Sequence, residues 1–148
     1  MNHSRGKSMA LYQTVLLAVN PDNLDAHQLM VKAALIAGQN HAELHVAFVE
    51  PGLGNVSFLD AELGLEEAHL DTQALRIQQL SALSQASPYK VRALHIADGD
   101  VAKHLLDLVK QVRANLVVLG THKSGIQWFG DLGQALSQQG GCDVLMCH

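Results

Sequence analysis

Hydrophobic and polar positions along this chain alternate between two rhythms. Nearly unbroken apolar runs recur at residues 14–19, 43–49, 90–97, 115–120 and 143–147. Such runs suit strands buried on both faces, as in parallel sheets covered by helices. Between them, apolar residues recur at three- and four-residue spacing. The first helical stretch, capped by Asp22 or Asn23, carries Leu29, Met30, Ala33, Ala34, Ile36 and Ala37 and stops at Gly38. The second, 61–85, sets Leu63, Leu70, Ala74, Ile77, Leu80 and Leu83 against a solvated side of Glu66, Glu67, Asp71, Gln78 and Gln79. In the third, Val101, Leu105, Leu108 and Val112 follow a cap at Asp98 or Asp100. A fourth, short helix begins at the capping-box spacing Asp131 to Gln134 and runs to about Gln139, where Gly140-Gly141 stops it.

Strands joined by helical crossovers must be parallel, with right-handed connections. The pattern therefore predicts a single doubly wound, Rossmann-like α/β domain over residues 13–148, preceded by a flexible tail at 1–12. Its five-stranded parallel sheet has helices on both faces. Ligands of such sheets sit beyond the carboxyl ends of the strands. The fourth run ends at Gly120 and passes into a polar loop, so any chemistry is expected from Gly120 onward.

Composition narrows the class. With 148 residues, 48% of them hydrophobic, the chain suffices for one sizeable core. No apolar stretch approaches the roughly 18 residues a membrane span needs, and the polar leader lacks a secretory signal, so a cytoplasmic protein is expected. The net charge is −4 and the Lys and Arg residues are scattered, which argues against nucleic acid as a partner. Cys142 and Cys147, five apart, point to opposite sides of a strand and are expected as free buried thiols.

The usual chemical motifs of such folds are missing. The first turn, Asn20-Pro21-Asp22-Asn23-Leu24, has no dinucleotide fingerprint, and neither a P-loop nor C-x-x-C occurs. Asp22 and Asp98 mimic two acidic positions of a phospho-acceptor receiver, but the fifth run lacks the Lys that chemistry needs. Among nine histidines, His41 and His45 span a turn and a strand, and His45 and His95 are expected to be satisfied or edge-exposed rather than metal ligands. Ser124 lacks the nucleophile-elbow context of a hydrolase. No catalytic or metal residue is assigned.

In order along the chain, Val15-Leu16-Leu17-Ala18-Val19-Asn20, Asp98-Gly99-Asp100, residues 115–122 (Asn-Leu-Val-Val-Leu-Gly-Thr-His) and Cys142-Asp143-Val144-Leu145-Met146 resemble the universal stress protein family. The resemblance implies a cytoplasmic homodimer tied to survival under stress. The family has ATP-binding members, with G-x-x-G-x9-G-[ST] after the fourth strand, and members like universal stress protein A that lack it. Counted from Gly120, this chain has Lys123 at the second glycine position, Gly133 at the third and Gln134 at the hydroxyl. Asn20 stands where an acidic residue usually follows the first strand. A phosphate loop uses glycines so that backbone amides can approach the anion. Lys123 obstructs that approach while adding positive charge.

The leading expectation is thus a non-enzymatic stress-response homodimer without bound ATP. The alternative is a nucleotide-sensing switch in which Asn20, Gly120, His122, Lys123, Gly133 and Gln134 still hold ATP. A third, an enzyme using His122 as acid or base, is disfavoured because Gly120-Thr121-His122 is common to both kinds. The fifth run, without Pro or Lys, is expected at a sheet edge, where Val144, Leu145 and Met146 would pair with a second copy.

Overall fold

The five apolar runs become five strands, and the periodic stretches between them become four helices. In the computed structural model, which describes residues 10–50, 65–120 and 128–147 (backbone only at 65–72 and 128–131), the order is regular. It runs β1 (Thr14–Ala18), α1 (Ala26–Asn40), β2 (Glu43–Glu50), α2 (Leu65–Gln85), β3 (Val91–Asp98), α3 (Val101–Val112), β4 (Leu116–Gly120), α4 (Trp128–Gly140) and β5 (Asp143–Cys147). All strand pairs are parallel, in the spatial order β3-β2-β1-β4-β5. The chain therefore winds outward from β1 to β3, then crosses back to β4 and winds the other way. Its topological switch point lies between β1 and β4.

Strand period 2 divides the core in two. Val15 and Leu17 join Leu44, Val46 and Phe48 beneath Met30, Ala33 and Ala37 of α1. On the other face Leu16, Ala47, Val49, Val117 and Leu119 pack under Leu105 and Val109 of α3 and Leu132 and Leu136 of α4. The two thiols obey the same alternation. Cys142 belongs to the second cluster and Cys147 to the first, and neither forms a disulfide. An extra residue on β3, Arg92, falls between the pairs Leu44–Val91 and His45–Ala93. This bulge interrupts the ladder at an edge strand, a usual device against stray pairing.

Several boundaries differ from the sequence expectation. Neither Asp22 nor Asn23 caps α1; Asp25 holds that position without a side-chain hydrogen bond, because the Asp22 carboxylate is engaged with α2. Gly38 does not stop the helix. A Cβ there would stand 3.3 Å from the Tyr89 ring, so its smallness serves packing, and His41 takes the left-handed turn instead at φ 54°. The capping box at Asp131 is not the start of α4, which begins at Trp128 and ends on Gly140, ahead of Gly141 at φ 65°. Asp100 does cap α3, accepting from the Lys103 amide at 3.1 Å.

The largest difference concerns α2. Ile77, expected inside, is 53% exposed, whereas Leu80 is fully buried. Gln79, expected in solvent, is drawn inward by hydrogen bonds to Asp22 and Arg76. The inward stripe is Arg76, Gln79, Leu80 and Leu83, and its polar members serve the carboxyl end of the sheet.

Candidate functional site

Helical crossovers bring the first turn, the end of β2 and the inner side of α2 together above the carboxyl ends of β1 and β2. Arg76 is the centre of this region. Its Nε donates to Glu50 Oε1 at 3.0 Å, and its Nη1 donates to Asp22 Oδ2 and, at 2.9 Å, to Gln79 Oε1. Gln79 Nε2 closes the ring by donating to Asp22 Oδ1 at 2.9 Å. The guanidinium also lies over the Phe48 ring, 5.5 Å from its centroid. Burial works against the charge on Arg76, but the bonds to Glu50 and Asp22 outweigh it and hold its pKa above the ordinary arginine value. Two carboxylates from different segments thus share one largely buried cation.

At the switch point itself a different carboxylate comes forward. Asp25 Oδ2 lies 3.4 Å from where a Cβ on Gly120 would stand, and Leu29 Cδ1 lies only 2.7 Å from it. Gly120 is therefore a glycine because α1 presses against it. Asp25 Oδ1 is buried and, among the described residues, accepts no hydrogen bond. Asn20, on the same rim, turns back on its own loop: its Oδ1 accepts from the Asp22 amide at 2.9 Å and its carbonyl from the Asn23 amide at 3.0 Å.

Of the other nucleotide-site candidates, Gly133 and Gln134 lie on α4. A Cβ on Gly133 would meet Met146 Sδ at 3.0 Å, so this glycine admits β5 beneath α4. Gln134 is exposed on α4. His122 and Lys123 lie outside the described residues. Of the edge residues, Val144 packs against the α4 core cluster and Met146 against Gly133, whereas Leu145 is 36% exposed.

The histidine pair on β2 and β3 is satisfied internally. His45 Nδ1 meets His95 Nε2 at 3.0 Å with the rings stacked, and His45 Nε2 lies 3.5 Å from Glu43. Among the described residues, no group of three or more His, Cys, Asp or Glu is placed to hold a metal ion. No described helix is long and apolar enough to cross a membrane.

Sequence reasoning missed Asp25 and Arg76. The signal for Arg76 was the stripe it shares with Gln79, Leu80 and Leu83, at i, i+3, i+4 and i+7. Asp25 carried no local signal, since its place depends on where α1 begins.

An open parallel sheet with one switch point, helices on both faces and polar side chains gathered at the carboxyl ends of its strands defines a doubly wound α/β protein. The family model described as "Universal stress protein family" matches residues 11–148. The chain belongs to the universal stress protein family. It is 27% identical over 117 residues to universal stress protein A of Photorhabdus laumondii, covering 76% of this chain and 78% of that one. In structure it is similar to universal stress protein UspA from Lactobacillus plantarum (TM-score 0.64, 22% identity, 94% of this chain and 99% of that one). It is also similar to a universal stress protein in complex with cAMP (TM-score 0.62, 18% identity, 93% and 97% covered). At these identities the two solved structures show the fold alone.

Proposed function

We propose that this protein acts in the stress response as a non-enzymatic homodimer whose carboxyl-end crevice does not hold ATP. The observation that carries this reading is Asp25. A carboxylate beside Gly120, with one oxygen buried and unpaired among the described residues, sets negative charge where a polyphosphate would have to approach. Like charges in a partly desolvated site repel strongly. Asn20 spends its side chain on its own turn, and Gln134 offers no hydroxyl. Lys123 stands where the family's binders have a glycine. Each of these three missing contacts is worth on the order of 1 kcal/mol, so together they weaken binding about a hundredfold.

The dimer part of the proposal rests on β5. It is an edge strand with Leu145 partly exposed beside a groove of about 570 Å³ lined by Leu11, Tyr12 and Ile36. A second copy pairing there would cover both the open ladder and the apolar groove.

One observation favours a second reading, the nucleotide switch. The Asp25 oxygen that has no partner among the described residues is an acceptor that a sugar hydroxyl could meet, and a similar fold has been solved with cAMP. Calorimetry with ATP and magnesium separates the two. The proposal expects no heat of binding, or a dissociation constant of roughly 0.1 mM or weaker; a value near roughly 1 μM would replace it with the switch.

A further inference from the structure

Above the carboxyl ends of β1 and β2, the Arg76 side chain covers Phe48 and joins Glu50 to Asp22. We propose that Arg76 is an internal plug: its guanidinium occupies the face of Phe48 and both nearby carboxylates, so that a flat aromatic ligand with hydroxyl or amino donors can enter only when Arg76 is removed. The inference rests on the reading above that the native crevice holds no nucleotide. It adds what closes the part of the crevice away from Gly120.

Three features make Arg76 an occupant rather than a surface ion pair. Its side chain is only 15% exposed, and its partner Glu50 equally so. The guanidinium lies on an aromatic ring at the carboxyl end of β2, a surface on which a planar base could stack. Its hydrogen-bond partners are the groups such a ligand would need, because Asp22 and Glu50 are acceptors suited to sugar hydroxyls or an exocyclic amine. A planar cation that covers a ring and bridges two carboxylates uses the contacts a purine nucleoside would otherwise use.

A structural staple would look similar, so the test separates occupancy from charge. Arg76→Ala empties the space, whereas Arg76→Met removes the charge but keeps an apolar side chain long enough to lie on Phe48. Calorimetry with adenosine, which lacks phosphate, isolates this side of the crevice from the effect of Asp25 on Gly120. The Ala variant is expected to bind adenosine at least about tenfold more tightly than the native chain, with Arg76→Met unchanged from native. No gain in a folded Arg76→Ala variant overturns the proposal, and an equal gain in both variants overturns it in favour of a purely electrostatic gate. If Arg76→Ala does not fold, Arg76→Lys carries the test. An ammonium cannot cover the ring or bridge both carboxylates as a guanidinium does, so a gain of about threefold is expected and its absence overturns the idea. The failure of the parent reading is separately visible. Should the native chain bind ATP near roughly 1 μM, the plug survives only if Arg76→Ala binds ATP more tightly, and falls if binding weakens.

Discussion

At the scale of single residues, the carboxyl end of this sheet shows how one residue type can meet different demands. Gly120 and Gly133 both match the spacing of a phosphate-binding motif, but each has a packing reason of its own, against Leu29 and Met146. Gly120→Ala would drive a Cβ to within 2.7 Å of Leu29, which is itself 5% exposed and held in the α1 core. Overpacking of this kind costs about 1–3 kcal/mol, so a lower chemical-denaturation midpoint is expected, whatever the protein binds. Asp25 should act on ligands instead. The triple change Asn20→Asp, Lys123→Gly, Gln134→Ser restores the family's binding residues but leaves the carboxylate facing Gly120. Adding Asp25→Asn should strengthen ATP binding by about a further tenfold at low salt. If calorimetry shows the triple variant binding as well as the quadruple one, Asp25 is not what repels the phosphates. Asp25 was illegible in the sequence because its role depends on the first turn of α1 starting at Ala26. A cap at Asp22 would have pointed the same residue elsewhere.

At the scale of elements, the strands were legible because burial on both faces leaves an apolar run that few other structures produce. The helices were less so. In α2 the inward stripe contains Arg76 and Gln79, and a pattern search that rewards apolar residues assigns Ile77 to the core instead. These polar residues sit mid-helix and turn inward to carboxylates of other segments, a pairing that the local sequence pattern does not show. The β2–β3 pair offers a test at this scale. His95 has its pKa lowered, first by burial and then by His45, and the 3.0 Å contact between them needs at least one neutral ring. The pair is faced by Glu43 on β2, while His104 and Asp107 of α3 line the same cleft as His95. For a histidine whose folded pKa lies below its unfolded value, stability is fully present above the unfolded pKa of about 6.5. It is lost as pH falls from there through the folded value. Denaturant unfolding between pH 7.5 and 5 should therefore show a drop in stability below about pH 6.5, flattened by His95→Asn. An equal drop in that variant would place the acid sensitivity elsewhere.

At the scale of the whole molecule, the strand order leaves two edges, and they are defended unequally. On β3 the bulge at Arg92 disturbs the ladder, whereas β5 pairs with β4 in unbroken register from Asp143 to Cys147. That β5 would stand at an edge came from the family resemblance, since periodicity gives strands but not their neighbours. The expected dimer residues now separate. Val144 and Met146 face α4, so a charge at either would damage the fold and report little about assembly. Leu145 lies on the opposite side of the sheet, beside Leu11, Tyr12 and Ile36. The segment before β1 already reaches this edge, since the Tyr12 hydroxyl donates to Asp143 Oδ2 at 2.9 Å. That contact raises the tyrosine pKa, through the bond to Asp143 first and burial second. A monomer with its edge shielded by residues 11–12 is thus the competing arrangement. Leu11, which lines the groove, remains 80% exposed, however. Light scattering should give twice the chain mass at micromolar concentration. Leu145→Lys should shift it toward the monomer mass while leaving the circular dichroism unchanged, because a lysine at a partly exposed edge position blocks pairing without burying charge. A native protein that scatters as a monomer, or a dimer indifferent to Leu145→Lys, would remove β5 as the assembly surface.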